Sequence, residues 1–220
     1  MTAVLQKWMH KAQVCAAELV LPDGCRDIIR IDHPNGQCEW RVTPLQAAPE
    51  IVELTPGADL TGYRLSPGSH ISADFLCGLE QGIEVNGNDI HHEVTAQTRS
   101  AEAIRCLSEA EGVERAARAS GVSVRSLHRL LIKETGKSPI FWLRLARVRR
   151  ASQDHQSPLA AVAADHGFSD QAHMAREFRH WFGLSPLALR SNAKVQHQLA
   201  QPALATGEQI STRNPLMSVT

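Results

Sequence analysis

What most constrains this chain is a pattern that it contains twice. Residues 157–190 read SPLAAVAADHGFSDQAHMAREFRHWFGLSPLALR. Ser157 and Pro158 start a first helix running to about His166. Alanines 160, 161, 163 and 164 keep that helix thin, and Gly167 ends it with Phe168 as a core plug. Ser169 or Asp170 caps a second helix, in which Met174, Phe178, Trp181 and Phe182 fall at helical spacing. Gln171, His173, Arg176 and Arg179 or His180 are left outside that stripe. A slim helix carrying a second one with amide, imidazole and guanidinium groups outward fits a DNA major groove. An ordinary helical hairpin with a solvated polar face would read the same way.

The second copy separates these alternatives. In residues 114–143, Ala116 and Ala117 stand where Val162 and Ala163 do, Gly121 matches Gly167, Val122 matches Phe168 and Ser123 matches Ser169. Past the turn the register slips by one, as if Asp170 were inserted. Leu127 then matches Met174, Arg129 matches Arg176 and Leu131 matches Phe178. Both units leave through Gly-x-Ser-Pro, at 136–139 and 183–186. Two chance hairpins would not share turn, core and exit. Between them Ser138 and Pro139 open a helix, FWLRLARVRRASQ, with Phe141, Leu145 and Val148 on one side and Arg144, Arg147, Arg149 and Arg150 around the rest. Such a rod, on the order of 20 Å long, suits two reading helices set in successive grooves of a duplex that repeats every ~34 Å.

Gly167-Phe168-Ser169, Phe178-Arg179, Phe182-Gly183, Ser185-Pro186 and Arg190, together with the upstream repeat, resemble the DNA-binding domain of the AraC/XylS family of bacterial transcription regulators, over roughly residues 101–192. The outward Arg125, His128 and Arg129 are the first unit's candidates for base contact, arginine being able to hold guanine in bidentate fashion. Ser123 and its counterpart Ser169, at the helix starts, are candidates for the DNA backbone. The resemblance implies that Gln171, His173 and Arg176 occupy base-reading positions in the second unit. The linking-helix arginines are expected in solvent or engaged with Glu134 and Glu177.

Charge divides the same way. The net charge is zero over 220 residues, yet residues 1–100 carry seven Lys/Arg against thirteen Asp/Glu, whereas 101–192 carry fourteen against nine. The basic part is the part expected to meet phosphate. Five cysteines, 15, 25, 38, 77 and 106, are scattered without metal-site spacing, so they read as reduced thiols and no zinc, other metal or cofactor is expected. The apolar patch near Val14 is interrupted by Gln13 and Glu18, and nothing approaches a membrane span, so the protein is expected in the cytoplasm.

Ahead of residue 98 a short helix is expected over 4–15, then strands at 25–32 and 38–43 about a Pro34-Asn35-Gly36 turn, and at 51–54 and 61–65. Residues 70–82 are helical or mixed, and a turn follows at Asn86-Gly87-Asn88. Arg26, Asp27 and His70 more simply cap turns or face solvent than line a pocket. The pair His91 and His92, read as strand, points to opposite faces and does not make a metal site. LPDGCRDII and GYRLSPGSH resemble segments of an amino-terminal domain, a β-sandwich or partial cupin-like fold, that precedes this DNA-binding module in some family members.

The chain is therefore expected to be α+β: a β-rich sensor or dimerisation domain over 1–97, an all-α double helix-turn-helix domain over 98–192, and a poorly ordered tail over 193–220. The expected partners are double-stranded DNA, a small-molecule effector, RNA polymerase and a second copy of the chain. No catalytic residue is assigned. An alkylation-repair enzyme built on the same module would need clustered cysteines around zinc, and a dimeric scaffold that senses nothing is the other alternative.

Overall fold

The computed structural model describes residues 3–12, 17–83 and 85–206. Its first half contains β1 (Val4–Lys11), β2 (Ala17–Val20), β3 (Asp27–Asp32), β4 (Cys38–Val42), β5 (Glu50–Glu53), β6 (Asp59–Leu65) and β7 (His70–Ile71), then α1 (Ala73–Glu80), α2 (Gly87–Glu93) and β8 (Val94–Thr95). Strands β1, β6, β3 and β4 make one antiparallel sheet in that order, while β2 pairs with β5 and β7 with β8. The β3–β4 hairpin turns where Pro34-Asn35-Gly36 foretold it, with Gly36 left-handed at φ 84°. On one sheet face Ile28, Tyr63 and Leu65 pack against Phe75 and Leu79 of α1 and Ile90 of α2.

Two local expectations are corrected. Residues 4–11 form a strand, not a helix: β1 pairs with β6 along its length, and Trp8 lies across Gly62, where a Cβ would collide with the indole. Trp8 Nε1 donates to Asp27 Oδ1 at 2.8 Å, so pairing and burial override a weak local helical pattern. Cys15 lies outside the described residues. Residues 87–93 are helical, started by a reciprocal capping box between Asn86 and Asp89, so His91 and His92 sit on a helix, both exposed.

The second half runs α3 (Arg99–Glu109), α4 (Val113–Ala119), α5 (Val124–Thr135), α6 (Pro139–Gln153), α7 (Leu159–Asp165), α8 (Gln171–Phe182), α9 (Pro186–Arg190) and α10 (Ala193–Leu199). Helix α6 is its spine, with Trp142, Leu145, Ala146 and Val148 fully buried. The rod was expected to keep its arginines outside. Instead Arg149 is buried, donating from Nε to Leu204 O at 2.8 Å and from Nη2 to Leu199 O at 3.3 Å. Arg150 donates to Ser108 O.

The Leu199 and Leu204 carbonyls belong to a segment expected to be poorly ordered. Over residues 193–206 that expectation fails. Val195, Leu199 and Leu204 are buried in the helical core, Leu204 N donates to Asp23 O at 3.0 Å, and Gln198 Nε2 donates to Leu19 O at 2.7 Å. The segment thus packs between the spine and the Pro22-Asp23-Gly24 turn. Gly24, left-handed at φ 78°, lies so close that a Cβ would stand 2.8 Å from Leu204 Cβ and 3.3 Å from Trp142. Residues 207–220 lie outside the described residues. The passage between the halves is equally tight: Thr98 caps α3, and its hydroxyl also donates to Gly68 O at 2.8 Å.

Candidate nucleic-acid interface

The two expected units are α4–α5 and α7–α8, and their turns are built alike. At the end of α4, Gly121 is left-handed (φ 67°), its N–H donates to Arg118 O, and Val122 N reaches back to Ala117 O. At the end of α7, Gly167 (φ 71°) donates to Ala164 O and Phe168 N to Ala163 O. Both are Schellman closures, in which the residue after glycine enters the core. The one-residue slip falls immediately after. Ser123 caps α5 by accepting from Ser126 N, whereas α8 is capped by Asp170, which accepts from His173 N at 2.6 Å. Ser169 is therefore the additional residue, and Asp170, not Ser169, holds the helix start. Ser157 caps nothing: the residue before α7 is Pro158, without a side-chain cap bond.

Beyond the turns the correspondence holds through the exits. Leu127 and Leu131 are fully buried, as are Met174, Phe178, Trp181 and Phe182 to within 2%. Gly136 and Gly183 end the second helices in left-handed conformation, and Ser138 and Ser185 cap the helices that follow.

Arg125, His128 and Arg129 are exposed on α5, as are Gln171 and Arg176 on α8. Among the described residues none of these five is taken by a hydrogen bond or salt bridge. His173 differs. It is half-buried, its ring edge-on to Phe168 with centroids 5.5 Å apart, and its Nδ1 lies 3.1 Å from Ser169 Oγ and accepts from Ser169 N at 3.3 Å. Its imidazole and the Ser169 hydroxyl are turned back on the turn, and the Ser123 hydroxyl is likewise spent on its cap and on Ser126 Oγ.

What pattern reading missed is the support behind α8. Glu177, only 9% exposed, accepts from Arg144 at 2.9 and 2.7 Å and from Trp181 Nε1 at 3.2 Å. Burial by itself would raise this carboxyl, but the bonds from Arg144 and Trp181 outweigh it and hold Glu177 below the usual glutamate range. The linking-helix arginines were expected in solvent or with Glu134 and Glu177; Arg144 is the one that takes Glu177, and the pair fastens α8 to the spine. Arg147 donates to Glu111 O, which leaves the spine arginines committed within the helical half. The cysteines described, Cys25 and Cys106 buried and Cys38 and Cys77 exposed, are free, and no metal-ligating cluster occurs among the described residues. No helix among them is long and apolar enough to cross a membrane.

Residues 116–192 match a protein-family model described as a helix-turn-helix domain. The HTH-type transcriptional activators RhaS of Pectobacterium carotovorum subsp. carotovorum (strain PC1) and of Pectobacterium atrosepticum are each 37% identical to this chain over 73 residues, which is 32% of this chain and 26% of each relative. The chain thus matches about a quarter of the length of these curated relatives. Among solved structures, a transcriptional regulator with an AraC-type DNA-binding domain from Chromobacterium violaceum is similar at 27% identity and a TM-score of 0.40, over 49% of this chain and 97% of that one. ToxT from Vibrio cholerae is similar at 9% identity and a TM-score of 0.45, over 84% and 97%.

Proposed function

We propose that this chain is a sequence-specific transcription regulator of the AraC/XylS type that reads double-stranded DNA with α5 and α8 in adjacent major-groove segments, a reading supported by the match of residues 116–192 to a helix-turn-helix family model. The observation that carries the reading is the doubled unit itself. Two helices on like-built turns keep Arg125, His128 and Arg129, and Gln171 and Arg176, exposed and free of hydrogen bonds and salt bridges among the described residues. A solvated hairpin face has no reason to recur with Arg129 and Arg176 at matching positions. In this reading those arginines and Gln171 touch bases or phosphates, while Ser123 and Asp170 cap the helix starts and His173 with Ser169 braces the turn ahead of α8.

The division at residue 97 is part of the same proposal, with residues 193–206 belonging to the helical half on which they pack. The sheet half is assigned effector sensing or self-association. RNA polymerase is the partner this reading assigns to such a regulator, and the cytoplasm its compartment.

Selection of bound sequences from a random DNA pool, followed by gel-shift titration, tests the reading. Arg129→Ala and Arg176→Ala should each weaken binding to the selected site by ~1 to 3 kcal/mol with the fold intact. Unchanged affinity in both variants would sink it.

A further inference from the structure

Superposed on their buried residues, the two reading helices match in frame and differ in what they present. Each spans 12 residues, the caps Ser123 and Asp170 correspond, and so do the closing Gly136 and Gly183. Buried Leu127 and Leu131 stand where Met174 and Phe178 do. The same offset pairs the outward positions: Val124 with Gln171, Arg125 with Ala172, His128 with Ala175, Arg129 with Arg176 and Ile132 with Arg179. Of these five pairs only the central arginine is shared.

The differences run in one direction. Arg125 and His128 are exposed and free of hydrogen bonds and salt bridges among the described residues, so the outward face of α5 ends in long polar groups. On α8 the same two places are alanines, Ala172 exposed and Ala175 half-buried. Side chains that short let a helix approach the floor of a groove, where an apolar contact is made with the C5 methyl of thymine. Beside them Gln171 carries an amide donor and a carbonyl acceptor, the pair that matches adenine N7 and N6. At the equivalent place α5 has Val124, 40% exposed and without any side-chain hydrogen bond to offer. What α5 has instead is Arg125, whose two parallel donors match guanine O6 and N7.

We propose that the two helices read unlike segments of one operator: α5 a guanine held by Arg125, and α8 an adenine held by Gln171 next to thymines whose methyls rest on Ala172 and Ala175. Arg129 and Arg176, alike in place, make the contact common to both segments. Such a site is not self-complementary, so one chain lies on it in a single orientation. This inference rests on the regulator reading above and adds the base chemistry to it.

Selection of duplexes from a random pool by the full chain, followed by gel-shift titration of the selected site, tests this. The expected site has a guanine-bearing segment and an A·T-bearing one, their centres about one helical turn apart. Arg125→Ala should lower discrimination for that guanine about tenfold and leave the preferences of the A·T segment as they were. Deoxyuridine in place of the second segment's thymines removes only methyl groups, and should weaken the unsubstituted chain about fourfold per contacted methyl. Ala172→Arg, at an exposed position, should keep the thermal midpoint, lose that sensitivity and shift the second segment toward guanine. Two segments of like composition, deoxyuridine without effect, or an Arg125→Ala loss equal for all sequences would overturn the proposal and leave the regulator reading standing. Absence of any sequence preference would overturn both.

Discussion

Glu177 shows what a single side chain does in this molecule. Its carboxylate is bonded to Arg144 and Trp181, and its pKa is held down by those bonds against the pull of burial. A carboxyl depressed in the folded state stabilises above its unfolded pKa, about 4.3, and loses that contribution as pH falls through the folded value. Acid titration of the folded chain should therefore show stability falling below about pH 4. Glu177→Gln should be less stable at neutral pH and flatter across that acid range, as read from tryptophan fluorescence. Arg149 carries the opposite burden: burial draws its pKa down while Asp23 opposes the shift. Arg149→Met would take the side-chain donor from Leu204 O, leave Leu199 O to Gln153 Nε2, and leave Asp23 short of a counter-charge. We expect a loss of ~2 to 5 kcal/mol in urea unfolding. The sequence offered Glu177 as a partner for a linking-helix arginine but not its burial, and Arg149 looks there like a surface charge on an amphipathic helix.

At the scale of elements, the two helix-turn-helix pairs were the most legible part of the chain, because their information is local. A glycine that must be left-handed, an apolar residue after it, a capping side chain and a period of 3.6 are all written within about fifteen consecutive residues. Even the one-residue slip was visible; only the identity of the cap, Asp170, awaited the structure. Asp170→Ala should lower helix stability more than Ser169→Ala does, measured by thermal unfolding, since only the former removes the bond to His173 N. Strand β1 was misjudged for the converse reason. Its partner, β6, begins about fifty residues later, and nothing within 4–11 reports that Gly62 leaves room for Trp8. Helix α10 was missed likewise: AKVQHQL is unremarkable until Val195 and Leu199 are seen against α6. Leu204→Ala should cost ~2 to 5 kcal/mol, a core-sized penalty from a segment with the composition of a tail.

The whole molecule is knit across its two halves by the Pro22-Asp23-Gly24 turn, the Gly68 loop and residues 193–206. Lys194 pairs with Glu18 at 2.8 Å, and Arg64 pairs with Asp23 at 3.3 Å beneath the Leu204 contact. Halves sharing a buried network unfold together, so differential scanning calorimetry should show one transition; truncation after Asn192 should lower it and separate it into two. By itself the sequence determined the class of the chain, the doubled helix-turn-helix unit, its exposed basic and amide side chains and the charge contrast between halves, since each depends on neighbours within a turn or two or on composition. Only the tertiary structure decided that 4–11 is a strand, that Arg149 is interior and that 193–206 is a wedge. Those outcomes depend on contacts between segments tens to hundreds of residues apart, whose stabilisation appears only when the chain has closed on itself.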